Sequence, residues 1–190
     1  DFDWLPVSKL VVVENTCNKG GGAVYEIEEL RKIAQICKSK GLKLHLDGAR
    51  FFNALVASQT NIDEYRGLFD SISICLSKGL GAPIGSVLLG DHAFIKRAKK
   101  VRKAFGGGMR QVGILAAAGL YALEHNVSLL QIDHNHATLL AEELSQQKYI
   151  AKVIKPQTNI VIFDLEKDIE PTRFIAVSYT HLTLPTNLRV

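Results

Sequence analysis

The chain has 190 residues, 47% of them hydrophobic and 22% charged, enough to bury the core of one soluble domain or of one domain with a fragment of another. Its net charge of +4 could draw phosphates or acidic metabolites but is too small to argue for a nucleic-acid binder. Cys17, Cys37 and Cys75 are odd in number and lack a C-x-x-C pair, so neither a disulfide framework nor a zinc site is implied and a reducing, cytoplasmic compartment is expected; the longest apolar run, Val112 to Leu123, falls well short of the roughly 20 residues of a membrane span.

Asp1 is not an initiator methionine, and Asp1 to Pro6 lacks the polar look of a natural N-terminus, so the sequence reads as beginning mid-protein. Lys9 to Val13 is a β-branched run that predicts a strand, with Glu14 to Gly22 as the loop after it. Ile27, Leu30, Ile33, Ala34 and Cys37 recur at helical spacing, predicting a helix over 26–40 that Gly41 closes. Leu42 to Leu46 reads as a strand ending on Asp47, Arg50 to Ala57 as a short helix, and Asn61 with Glu64 as a capping box for another. Ser71 to Leu76 is the next strand, with Ile72, Ile74 and Leu76 on one face and small residues on the other.

Ser86 to Leu89 is a further strand. The connection from Ser77 to Gly85 is too short for a helical crossover, so this pair is expected to be antiparallel and the sheet mixed. Helices are predicted from the Asp91 cap to about Lys103, over Gln111 to Asn126 and over Leu129 to Gln147, followed by strands at Lys152 to Ile154 and Ile160 to Asp164. The alternation gives an α/β fold, a doubly wound and mostly parallel sheet with helices on both faces and ligands at the strand carboxyl ends.

Asp47 and Lys78 both fall at such ends. A buried lysine at a strand end, surrounded by Gly79, Gly81, Ala82 and Gly85, suits condensation with a planar aldehyde, of which pyridoxal phosphate is the commonest. A carboxylate facing the pyridine nitrogen keeps it protonated, and Arg50 either pairs with Asp47 or Asp70 or holds a ring hydroxyl or substrate carboxylate. Lys96, Arg97, Lys99, Lys100, Arg102 and Lys103 form a basic cluster, read first as a solvated helix face, and Gly106 to Gly108 either seats an anion or hinges. Asp133-His134-Asn135-His136 looks metal-like, but residues two apart point to different helix faces, so a solvated surface is expected and no metal is assigned.

Glu14-Asn15-Thr16, His45-Leu46-Asp47-Gly48-Ala49-Arg50, Ser77-Lys78-Gly79-Leu80-Gly81 and Gly106-Gly107-Gly108-Met109-Arg110-Gln111, in that order over roughly 4–165, resemble the low-specificity L-threonine aldolases, in the threonine aldolase and β-eliminating lyase group of fold-type I pyridoxal-phosphate enzymes. The resemblance implies a carbon–carbon lyase that cleaves β-hydroxy-α-amino acids, threonine to glycine and acetaldehyde, and a homodimer or homotetramer. It makes Lys78 the catalytic lysine bonded to the cofactor, Asp47 the pyridinium partner and Arg50 a ligand of cofactor or substrate, and it brings Lys103 and Arg110 near the site, across a subunit interface in one reading. It also implies that 1–150 is the C-terminal part of the cofactor-binding large domain and 151–176 the truncated start of the small domain, with the phosphate and ring-stacking residues and a substrate-carboxylate arginine outside the chain.

Two departures stand out: Trp4 and Cys17 occupy positions where many relatives carry histidine. Residues 177–190 do not continue the pattern and read as a non-native tail. The alternatives are a β-eliminating lyase or aminotransferase relative with the same Lys78 and Asp47, and an inactive fragment that binds no cofactor alone.

Overall fold

The computed structural model describes Trp4 and residues 6–181. Four strands, β1 (Leu10–Glu14), β2 (Lys43–Gly48), β3 (Ser71–Cys75) and β4 (Ser86–Gly90), form one sheet in the order β1-β2-β3-β4. The first three are parallel and β4 runs antiparallel to β3, as the short connection requires. Helices α1 (Ile27–Ser39) and α2 (Phe51–Ser58) surround β2 in sequence, and α3 (His92–Ala104), α4 (Gly113–His125) and α5 (Leu130–Ser145) follow β4. A second, two-stranded antiparallel sheet, β5 (Ile150–Ile154) with β6 (Ile162–Leu165), and α6 (Pro171–His181) complete the described chain. The expected tail 177–190 overlaps α6 as far as His181, and its remainder lies outside the described residues.

Period-2 alternation sorts the strands. Val13, Leu44 and Leu46 join Leu30 and Cys37 of α1, Phe51 of α2 and Tyr65 in one core, with Ile72 and Ile74 packed against it. Leu30, Leu44 and Leu46 are fully buried, each contributing roughly 1.5–3 kcal/mol by leaving water. Helix α1 stops where expected: Gly41 takes φ +65°, its N–H reaches the Lys38 carbonyl and the Leu42 N–H reaches Cys37, a Schellman closure. On the other face α3 lies along β4, where a Cβ on Gly90 would meet Phe94. A second core joins Leu76, Leu80 and Ala82 to Ala122 of α4 and Leu130 of α5.

Two expectations give way. Asn61 accepts from the Asp63 N–H at 2.9 Å but Glu64 turns to Arg31 at 3.0 Å, so instead of a capping box Ile62–Tyr65 is a single 3₁₀ turn. His136 is exposed as expected, whereas His134 is buried beside Asn53, because α5 packs that face onto α2. Among the described residues no single helix is long and apolar enough to cross a membrane.

Candidate active site

The sheet register brings the functional candidates together. Glu14 pairs with Asp47 and Asp47 with Ser73, so the carboxyl ends of β1, β2 and β3 lie side by side. The Asp47 carbonyl accepts from the Asn15 N–H at 3.0 Å, and its side-chain Oδ1 accepts from the Ala49 N–H at 3.1 Å, which fixes one carboxylate oxygen. Gly48 is dictated by space: a Cβ there would lie 2.8 Å from the Ser73 carbonyl and 3.0 Å from Phe51 Cβ, where β2 turns sharply into α2.

Arg50 is the residue preceding α2. Its Nη1 donates to Asn18 Oδ1 at 2.8 Å, on the loop after β1, instead of pairing with Asp47 or Asp70. Asp70 sits at the opposite end of the strands, where Lys43 and the Leu44 N–H hold its carboxyl below the usual value. Beneath Asp47, Asn15 is wholly buried, donating to the Tyr65 hydroxyl and accepting from the Tyr25 N–H. Burial pushes the Tyr65 phenol up, outweighing the lowering from Asn15.

Lys78 stands three residues beyond β3 on a turn held from both sides. The Gly81 N–H closes onto the Lys78 carbonyl at 2.8 Å, the Leu76 N–H reaches Gly85, and Asn126 Nδ2 donates to the Leu80 carbonyl at 2.7 Å. Leu80 and Ala82 anchor the turn in the second core while Lys78 stays half-buried, less enclosed than its apolar surroundings suggested. Among the described residues its amine makes no hydrogen bond or ion pair. Beneath the turn, a Cβ on Gly79 would meet Leu130 at 2.8 Å and Asn53 at 3.6 Å, so the buried Asn53–His134 pair lies close under Gly79.

Lys103 and Arg110 are exposed. No hydrogen bond or ion pair joins either to Asp47, Arg50 or Lys78 among the described residues, and the Lys103 stem lies over Gly108. All six members of the basic cluster on α3 are solvated. A cleft of about 600 Å³ lined by Gln35, Lys38, Leu42 and Asp70 lies at the amino ends of β2 and β3, away from this constellation. The sequence reading assigned no role to Asn18, Asn53 or Asn126. Asn53 alone carried a signal, as the one polar residue in the apolar run Phe51 to Ala57.

Low-specificity L-threonine aldolase 1 of Arabidopsis thaliana is 48% identical over 162 residues, covering 85% of this chain and 45% of the relative. Low specificity L-threonine aldolase of Escherichia coli (strain K12) is 48% identical over 154 residues, covering 81% of this chain and 45% of the relative. The solved threonine aldolase of Leishmania major, 22% identical, superimposes with a TM-score of 0.71 over 94% of this chain and 51% of its own, and shares the fold. The chain thus spans less than half the length of the curated relatives named here. The beta-eliminating lyase family model matches residues 4–168, most of the chain, and the chain belongs to that family.

Proposed function

We propose that the chain carries the lysine side of the active site of a pyridoxal-phosphate lyase that cleaves β-hydroxy-α-amino acids, with L-threonine giving glycine and acetaldehyde. The observation that carries this reading is the delivery of Asp47, Arg50 and Lys78 to one end of adjacent parallel strands, in a chain nearly half identical to threonine aldolases.

The residues present fit the cofactor by the chemistry of their donor set. Lys78 would hold its aldehyde carbon, Asp47 its ring nitrogen, and Arg50 its ring hydroxyl or the substrate carboxylate. When bound, pyridoxal phosphate supplies an electron sink for the bond broken at Cα. Asp47, pinned through one oxygen by the Ala49 N–H, would offer the other to the ring nitrogen and stabilise a proton there. The turn carrying Lys78 is anchored in the second core through Leu80 and Ala82 and leaves the lysine half-buried. Arg50 reaches its ligand from a guanidinium already oriented by Asn18. Lys103 and Arg110 belong to the same proposal as anion ligands contributed between subunits of a homodimer or homotetramer. Residues 1–150 are assigned to the large domain and 151–176 to the start of the small one, a division supported by the separate β5–β6 sheet.

The family's name also favours β-elimination, which the same assay separates. The chain is incubated with pyridoxal phosphate and reduced with borohydride, and the labelled peptide is identified. In parallel, acetaldehyde from L-threonine and pyruvate from serine are measured with the full-length protein that contains this sequence. Label on Lys78, lost in Lys78→Ala, with acetaldehyde release supports the lyase reading. Pyruvate alone redirects it to elimination, and label at other lysines only rejects the site.

A further inference from the structure

Loop 17–24, which follows β1, is closed by its own backbone: the Cys17 N–H reaches the Ala23 carbonyl and the Gly22 N–H the Cys17 carbonyl, each at 2.9 Å, and the Gly21 N–H reaches Asn18 at 3.1 Å. On its inner side Asn18 is held by Glu14 Oε1 at 3.1 Å and itself holds Arg50 at 2.8 Å. Its outer side is gripped from far along the chain. Thr158 Oγ1 donates to the Gly22 carbonyl at 3.0 Å, and Gln157 Oε1 accepts from the Val24 N–H at 2.9 Å.

The grip is built for close approach. Thr158 is 1% exposed, and a Cβ on Gly22 would lie 2.2 Å from its hydroxyl oxygen. Gly22 also takes φ +77°, so no other residue fits there without strain. A Cβ on Gly21 would crowd Ile162 of β6 at 3.2 Å. Three successive glycines, Gly20 to Gly22, give the free loop many backbone states, and the grip selects one of them.

We propose that Thr158 and Gln157 are positioning residues for Arg50, acting through loop 17–24 and Asn18. The segment between β5 and β6 then sets the direction of an arginine on a distant part of the sequence, so displacement of the second sheet moves Arg50. The meaning of this link for ligand binding rests on the cofactor reading above; the link itself does not.

Amide exchange and side-chain NMR of the 190-residue chain test it. Thr158→Val keeps the shape and removes the hydroxyl; at least tenfold faster exchange is expected at the Gly22 and Val24 amides, with loss of order at Arg50 Nε–H and no change at Leu44 and Leu46. Thr158→Ser restores both. Gln157→Ala, at an exposed position, loosens Val24 and Arg50 without touching the core. Asn18→Ala frees Arg50 while Gly22 and Val24 stay protected. The proposal is overturned if Arg50 keeps its order in both Thr158→Val and Gln157→Ala, or if strand amides loosen as much as the loop. A loosened Arg50 together with undiminished pyridoxal-phosphate labelling in Arg50→Ala upholds the link and refutes Arg50 as a cofactor ligand.

Discussion

Asn53 and His134 meet at 3.1 Å between α2 and α5, both buried, directly beneath the turn that carries Lys78. Burial pushes the His134 imidazole below its ordinary value of 6.5, and nearby Asp133 opposes that only in part. The neutral ring is therefore favoured in the folded chain, where Nε2 accepts from the Asn53 amide. The unfolded chain binds the proton more readily, so stability should fall as pH drops below about 6.5 and level off below the folded value. Urea unfolding across this range should show that slope, and His134→Gln, which keeps an acceptor but does not titrate, should flatten it. An unchanged slope would mean that His134 is not the group responsible. At this scale the position of Asp47 and Lys78 at strand ends was legible because small residues and turn signals mark it. Asn18 was not, since its partner Arg50 stands 32 positions away and no local pattern joins them.

Among elements, α3 shows how a helix without a buried residue is held. Asp91 accepts from the Phe94 N–H at 2.7 Å, and Arg102 and Lys103 occupy the last turn, where positive charge suits the helix dipole. Asp91→Ala should cost about 1 kcal/mol of local stability, seen as faster amide exchange along α3 with little change in α1. Equal loosening of both helices would contradict a local cap. The antiparallel turn of β4 was readable from the length of its connection, and the end of α1 from Gly41. The capping box was misread because Arg31, brought in by α1, outcompetes the backbone for Glu64.

The whole molecule leaves much apolar surface open. Ile114 is 87% exposed, Leu120 and Tyr121 more than half, and Leu10 and Val12 likewise on the sheet face opposite the main core. A helix as apolar as α4 ordinarily lies buried on all sides. Exposed patches of this kind promote association. Sedimentation of the 190-residue chain should therefore show self-association that rises with concentration, and Ile114→Glu with Leu120→Glu should reduce it. A concentration-independent monomer in the unsubstituted chain would refute this.

Strand positions, approximate helix limits and the placement of Asp47 and Lys78 at strand carboxyl ends were written in local periodicity, since side-chain alternation and turn residues act over a few positions. Tertiary structure alone decided which way Arg50 points, that His134 is buried, and that Thr158 reaches Gly22. Those contacts join residues 32, 81 and 136 positions apart, and over such separations pairing depends on how helices and sheets pack, which no local spacing encodes.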